Sequence, residues 1–224
     1  MKGRLIAFEG GEAVGKSTQA RLLAERIDAV LTHEPGDTDL GKLIRSMVLT
    51  ATGKPISPQA EALLMAADRA QHVAEVIRPA LDAGTHVVTD RFIGSSLAYQ
   101  GFGRNLGIED VRAVSLFATG GLDCDLVVLL DAGNEAAQSR LHLRQRLDFW
   151  GPPAKGKEKK LDEMLALPDD RIGSEDFEFH RRVLEGYRRL AEQNPDQWVV
   201  IDGNRSVEEV AEAVYAAVRD RLGV

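Results

Sequence analysis

The chain has 224 residues, 44% of them hydrophobic and 28% charged, with a formal net charge of −7. That balance suits one globular domain spanning 1–224 with a substantial core. It excludes broad binding to nucleic acid, whose affinity rests on neutralising backbone phosphates, and leaves a small anionic ligand only where positive groups are gathered locally. With a single cysteine, Cys124, no intrachain disulfide can form; a reducing compartment and a buried, unreactive thiol are expected. Neither a signal peptide nor an apolar run of spanning length is visible, so a cytoplasmic protein without a membrane is expected.

The first predicted strand is RLIAF (4–8), followed by FEGGEAVGKST (8–18) and a helix. AVLT (29–32) reads as the next strand. A long helical stripe then runs through Ala60, Leu63, Leu64, Ala67, Ala70, Ala74, Ile77 and Leu81, started by Ser57 and Pro58 and closed by Gly84. HVVT (86–89) leads into Asp90 and Arg91, and LVVLL (126–130) and WVVI (198–201) complete five strand candidates. None of the five alternates, as expected where helices cover both faces of a parallel sheet. Ser206 and Glu209 open a last helix in capping-box spacing. Strand and helix in alternation predict a three-layer α/β fold with a five-stranded parallel sheet. One segment breaks the rhythm: from 149 to 168 the chain carries paired prolines, glycines and Lys155, Lys157, Lys159 and Lys160, an exposed excursion.

The pattern G-x-x-x-x-G-K-S at Gly10, Gly15, Lys16 and Ser17 lies between a strand and a helix, the context that gives this motif its meaning. Glycines let backbone N–H groups converge on phosphate oxygens at a helix N-terminus. Gly10, Gly11, Glu12, Ala13, Val14, Gly15, Lys16, Ser17 and Thr18 are therefore the expected ATP site, with Lys16 on the β- and γ-phosphates and Ser17 on Mg²⁺. Asp90, ending a strand at the same sheet edge, can assist that ion; paired with Arg91 it also fits a purely structural role.

Arg45, Arg69 and Arg91 form one set of candidate anion-binding residues, and Arg140, Arg144 and Arg146 a second on a later helix. Each arginine alone fits a solvated helix face; two sets suggest one for an acceptor phosphate and one for a moving phosphoryl group. The five histidines are scattered and lack metal-site spacing, and no nucleophile–base pair stands out. An acceptor that is itself a phosphate needs no base, which favours a nucleoside monophosphate kinase.

At this point the sequence resembles the bacterial thymidylate kinases. The likeness is carried by the glycine loop, THEPGDTDLGKLIR (32–45), EALLMAADRAQHVAEVIRPAL (61–81), DRFIGSSLAYQGFGR (90–104) and DRIGSEDFEFHRRVLEGY (170–187), nearly the whole chain. The resemblance implies a P-loop fold with a mobile lid at about 140–172, a homodimer, and transfer of the γ-phosphoryl group of ATP to dTMP. It implies that Glu12 points away from ATP and accepts from the acceptor's 3′-hydroxyl, the chemistry of a group that can only accept. Arg45 and Arg91 match positions that hold the dTMP phosphate, and Arg69 the arginine that reads a thymine carbonyl. Ser95, Ser96 and Gln100 match the pocket lining, Tyr99 an aromatic beside the sugar that also fits simple core, and Glu34 belongs to the same acceptor region. Arg140 and Arg144 match lid arginines, which the family uses where the loop has a residue like Ala13 rather than arginine.

Two positions depart from the pattern. His33 stands where the family has arginine, and Met65 where it has a phenylalanine stacked on the base; Met65 equally fits a core-facing helix residue. Both leave open another pyrimidine monophosphate, such as dUMP, as acceptor, or a nucleotide-binding regulator that transfers weakly. The excursion at 149–168 is expected to be a solvated extension.

Overall fold

A computed structural model of the chain describes residues 3–50, 55–132 and 171–224. Five parallel strands, β1 (Leu5–Glu9), β2 (Val30–His33), β3 (Val87–Asp90), β4 (Leu126–Asp131) and β5 (Trp198–Asp202), pair in the order β2-β3-β1-β4-β5. All five expected strands are present, each one residue longer at its C-terminal end than its apolar run. That added residue is polar in every strand: Glu9, His33, Asp90, Asp131 and Asp202 line one edge of the sheet. Ligands of parallel α/β sheets bind at this edge.

Alternation within strands divides the core. Leu5, Ala7, Val127 and Leu129 face one apolar cluster; Ile6, Phe8, Val128 and Leu130 face the other. The second cluster is closed by α1 (Lys16–Arg26) and the C-terminal helix α8 (Val207–Leu222), whose capping box is formed by Ser206 and Glu209 as the spacing predicts. On the other face lie α2 (Asp39–Leu49), α3 (Pro58–His72), α4 (Arg78–Asp82), α5 (Ile93–Ser96), α6 (Ile108–Thr119) and α7 (Phe177–Gln193). Burial is complete only for the inner strands. β2 and β5 are the sheet margins, and each leaves an apolar side chain, Leu31 or Val200, about half exposed.

The long helix differs from its expected form in two ways. Ser57 accepts from the Ala60 N–H and Pro58 occupies the first turn as expected, but α3 passes through a π-helical turn (Val73–Ile77) before α4. Pro79 explains the turn: it has no N–H and its ring crowds the carbonyl four residues back, so the ladder shifts register. The apolar stripe is also not the side that α3 buries. Leu63 is 59% exposed, and Ala67 and Ala74 are exposed, whereas Glu61, Ala66, Asp68, Arg69 and His72 are buried. A polar inner face on a helix is stable only when its groups pair with one another.

Candidate active site

The loop after β1 is shaped by backbone that glycine alone adopts easily. Gly10 has φ 141°, and a Cβ there would stand 2.5 Å from the Leu130 carbonyl oxygen; Gly15, at φ 97°, leads into α1. Lys16 is buried, its Nζ donating to the Gly11 carbonyl at 2.5 Å. Burial and then repulsion from Arg91 push its ammonium down to about 8, against the pull of Asp90, Glu12 and Glu9. The loop therefore buries a cation that its protein neighbours do not fully compensate, a site suited to an anion. Ser17 Oγ donates to Asp90 Oδ2 at 2.5 Å, while Asp90 Oδ1 is buried with no hydrogen-bond partner among the described residues. An orphaned carboxylate oxygen beside a helix-head hydroxyl fits the oxygen-only ligation of a hard divalent cation. Among the described residues no cluster of three His, Cys, Asp or Glu could hold a metal alone, so phosphate oxygens and water would complete such a shell.

Arg91 follows β3 in the left-handed region, at φ 73°, a conformation that surrounding contacts must hold in place. Its Nη1 donates to the Gly10 carbonyl (3.2 Å), Ser95 Oγ (3.1 Å) and Tyr187 Oη (3.2 Å), and its Nη2 to Tyr99 Oη (3.4 Å). Underneath lies Glu9, fully buried, accepting from the backbone N–H of Phe92 and Ser95 (2.9 Å each), from Ser95 Oγ (2.6 Å) and from Tyr187 Oη (3.0 Å). Burial pushes the Glu9 carboxyl up, although Ser95, Arg91, Phe92 and Tyr187 pull the other way. The phosphate loop and Arg91 are thus tied together from below.

Opposite the loop, α2 and α3 bring in the remaining candidates. Arg45 on α2 donates through Nη1 to the Pro35 carbonyl at 2.8 Å, just after a cis Glu34–Pro35 bond. Arg69 on α3 donates to Glu34 Oε2 (2.9 Å), Ser115 Oγ (3.2 Å), the Phe92 carbonyl (3.0 Å) and Ser96 Oγ (3.1 Å). Glu34 Oε1 pairs with His72 Nδ1 at 2.9 Å, and Asp68 Oδ1 accepts from the Gly36 N–H at 3.0 Å. Arg45 meets the carbonyl next to Glu34, Glu34 meets Arg69, and Arg69 meets the Phe92 carbonyl next to Arg91, so the three arginines lie along one run of contacts. His33 is half-buried with Nδ1 3.4 Å from Asp37; burial, outweighing Asp37, pushes its imidazole down, so it presents a neutral ring. Met65 is half-buried and packs against the core.

A second pairing joins the same elements about two turns earlier on α3. Gln100, in the π-helical stretch Leu97–Gly103, donates through Nε2 to Glu61 Oε1 at 2.9 Å. Glu61 also accepts from Arg104 and from Arg171.

Ser95, Ser96, Tyr99 and Gln100 share one short helical stretch, Ser96 and Gln100 meeting α3 while Ser95 and Tyr99 meet Arg91 and α7; Glu12 and Thr18 sit partly exposed at the loop and the first turn of α1. Glu34 is buried and faces Arg69 and His72, so it supports the acceptor region rather than lying open in it. Arg140, Arg144 and the 149–168 excursion lie outside the described residues. Sequence reasoning missed Glu9, Glu61, Arg104, Arg171 and Tyr187. The available signals were an acidic end to an apolar strand for Glu9, and for Glu61 a helix position four residues before Met65 and eight before Arg69.

A glycine loop feeding a helix, on a sheet whose β1 lies between β3 and β4, places this molecule among the P-loop nucleotide-binding proteins, and the arginines gathered across from Lys16 fit their phosphoryl-transferring branch. The model of the thymidylate kinase family matches residues 8–214. Thymidylate kinases from Leifsonia xyli subsp. xyli (45% identical over 226 residues, 98% of this chain and 94% of the relative) and Clavibacter michiganensis subsp. michiganensis (44% over 219 residues, 96% and 93%) are similar to it. So is that of Synechococcus sp. strain JA-3-3Ab, 42% identical over 222 residues covering 97% and 96%. The chain belongs to the thymidylate kinase family, and it is a phosphotransferase.

Proposed function

We propose that this protein transfers the γ-phosphoryl group of ATP to dTMP, releasing ADP and dTDP. The observation that carries the reading is the convergence of Arg45, Arg69 and Arg91 on the sheet edge that also holds Lys16. In this reading Lys16 and the loop amides grip the β- and γ-phosphates, exchanging the Gly11 carbonyl for phosphate oxygen. Arg91, bridging the loop and the acceptor helices, takes an oxygen of the dTMP phosphate together with Arg45. The attacking oxygen is already anionic, so positioning and charge neutralisation lower the barrier and no general base is required. Glu12 accepts from the 3′-hydroxyl, and the Tyr99 ring disfavours a 2′-hydroxyl. Ser17 and Asp90 are the residues that would hold Mg²⁺, which when bound draws charge from the bridging phosphates.

A homodimer fits an apolar surface formed by Leu40, Leu43 and Met47 on α2, Leu63 on α3 and Phe117 on α6, the last 90% exposed. The three residues on α2 share a helix face, and α3 packs against both α2 and α6. Sedimentation of the purified chain at the monomer mass would remove this element. No described helix is long and apolar enough to cross a membrane, and a cytoplasmic site of action accords with the reaction proposed.

The reading is tested by ADP release from ATP with a series of monophosphates. dTMP is expected to give the highest kcat/KM, with dUMP weaker and purine monophosphates inert. Preference for another base reassigns the acceptor, and no turnover with any of them makes the protein a nucleotide binder only.

A further inference from the structure

The two pairings between α3 and the helical stretch after β3 have opposite polarity: one is centred on a group that only donates, the other on a group that only accepts. In the first, Arg69 spends four hydrogen bonds on Glu34, Ser115, Phe92 and Ser96, which leaves one of its five N–H donors. In the second, Gln100 Nε2 is committed to Glu61, and Gln100 Oε1 has no partner among the described residues. Met65 lies between them on α3, four residues from each.

The orientation of that amide is dictated by chemistry. Burial alone would push the Glu61 carboxyl up, but the hydrogen bonds from Arg104, Gln100 and Arg171 outweigh it and hold the group below the usual carboxylate range. An ionised carboxylate only accepts, so only the NH₂ side of Gln100 can face it. Glu61 is fully buried and braced from two further sides: Arg104 also reaches Glu175 at 2.6 Å, and Arg171 donates through Nε to the Val48 carbonyl at 2.9 Å. Turning the amide over would set two acceptors against each other in a buried site, where an unmade hydrogen bond costs most.

We propose that Glu61 is a specificity-determining positioning residue: by fixing the Gln100 amide with its carbonyl toward the acceptor base, it makes the pocket accept the N–H/C=O edge of thymine and uracil and reject the inverse edge of cytosine. This rests on dTMP being the acceptor. An N3–H of the base donates to Gln100 Oε1 while its O4 accepts from Arg69. Cytosine offers an acceptor at N3 and donors at N4, so it meets acceptor with acceptor and donor with donor. Rejection built on unpaired buried polar groups is stronger than any pocket shape gives between two bases of nearly equal size. Met65 supplies apolar cover without polarity, so the discrimination belongs to the pair Glu61–Gln100 together with Arg69.

The test compares dTMP with 5-methyl-dCMP, which differ only at this edge, by kcat/KM and by calorimetric binding to the whole protein. In Glu61→Gln either orientation of Gln100 can be hydrogen-bonded. The dTMP to 5-methyl-dCMP ratio is expected to fall by about tenfold or more through a gain by the cytosine nucleotide, with KM for ATP changed by no more than about twofold. Arg69 keeps its share, so the ratio narrows without vanishing. A parallel loss for both nucleotides at an unchanged ratio would mean that Glu61 is only structural and overturns the proposal. Gln100→Ala, which leaves the Glu61–Arg104–Arg171 contacts in place, gives the same reading should Glu61→Gln not fold; its ratio must narrow too, and an unaltered one overturns the proposal. In the double variant the ratio should match that of Gln100→Ala alone, and any further fall shows Glu61 acting elsewhere. Absence of transfer in the unmodified protein would defeat the proposed function, while the binding ratios would still decide the role of Glu61.

Discussion

Burying Lys16 carries an electrostatic cost that an anionic ligand would relieve. Its pKa is depressed, so the folded state favours the neutral amine. The linked stability is fully present above the ordinary lysine value of 10.5 and is lost as pH falls through about 8. At neutral pH the ligand-free fold therefore bears the whole cost. On the proposed reading Lys16→Met should cut turnover by about 10³-fold or more, yet raise the melting temperature of the ligand-free protein at pH 7 by a few degrees, about the effect of 1 kcal/mol. ATP binding near pH 9 should also take up protons, seen as a buffer-dependent heat in calorimetry. A variant that turns over normally, or binding with no proton uptake, contradicts this account of the loop. The motif around Lys16 was legible because its partners are close in sequence. Glu9 was not: the serine it grips is 86 positions away, and only the fold reveals that a strand-ending carboxylate is a buried anchor.

Among the elements, α3 shows most clearly what periodicity can and cannot say. Its existence, its cap and its N-terminal proline were readable, because Ser57 and Pro58 act on their own first turn. Its inner face was not readable from the apolar stripe, because Glu61, Asp68, Arg69 and His72 turn inward to partners on other elements. Asp68 tests this inner face. Burial first, and then the Glu34 charge, raise its carboxyl from 3.8 to about 6. A raised carboxyl means the folded state favours the proton: the linked stability is complete below about 4 and is lost as pH rises through about 6. Asp68→Asn keeps an oxygen for the Gly36 N–H and removes the charge. Its stability relative to the unmodified protein should climb between those two pH values and level off above them, by on the order of 1–3 kcal/mol. Urea unfolding at pH 4.5 and 7.5 reads the difference; equal values at both would show that Asp68 is not under this stress. The strands posed no such difficulty, because unbroken apolar runs between helices have one home in a parallel sheet, and only which two lay at the margins needed the structure.

For the whole molecule, the sheet does the gathering. Every strand delivers its last, polar residue to one edge, so side chains distant in sequence meet there without long loops. On the proposed function, that edge brings two anionic nucleotides head to head, with Lys16, Arg45 and Arg91 easing the passage of a phosphoryl group between them. The most direct test is to follow the group itself, using ATP labelled in its γ-phosphate with dTMP present. The account predicts that label appears in dTDP in equal amount to the ADP formed, with little inorganic phosphate and with the transfer abolished in Lys16→Met. Label released as inorganic phosphate, or retained in ATP while dTMP stays unchanged, would contradict it.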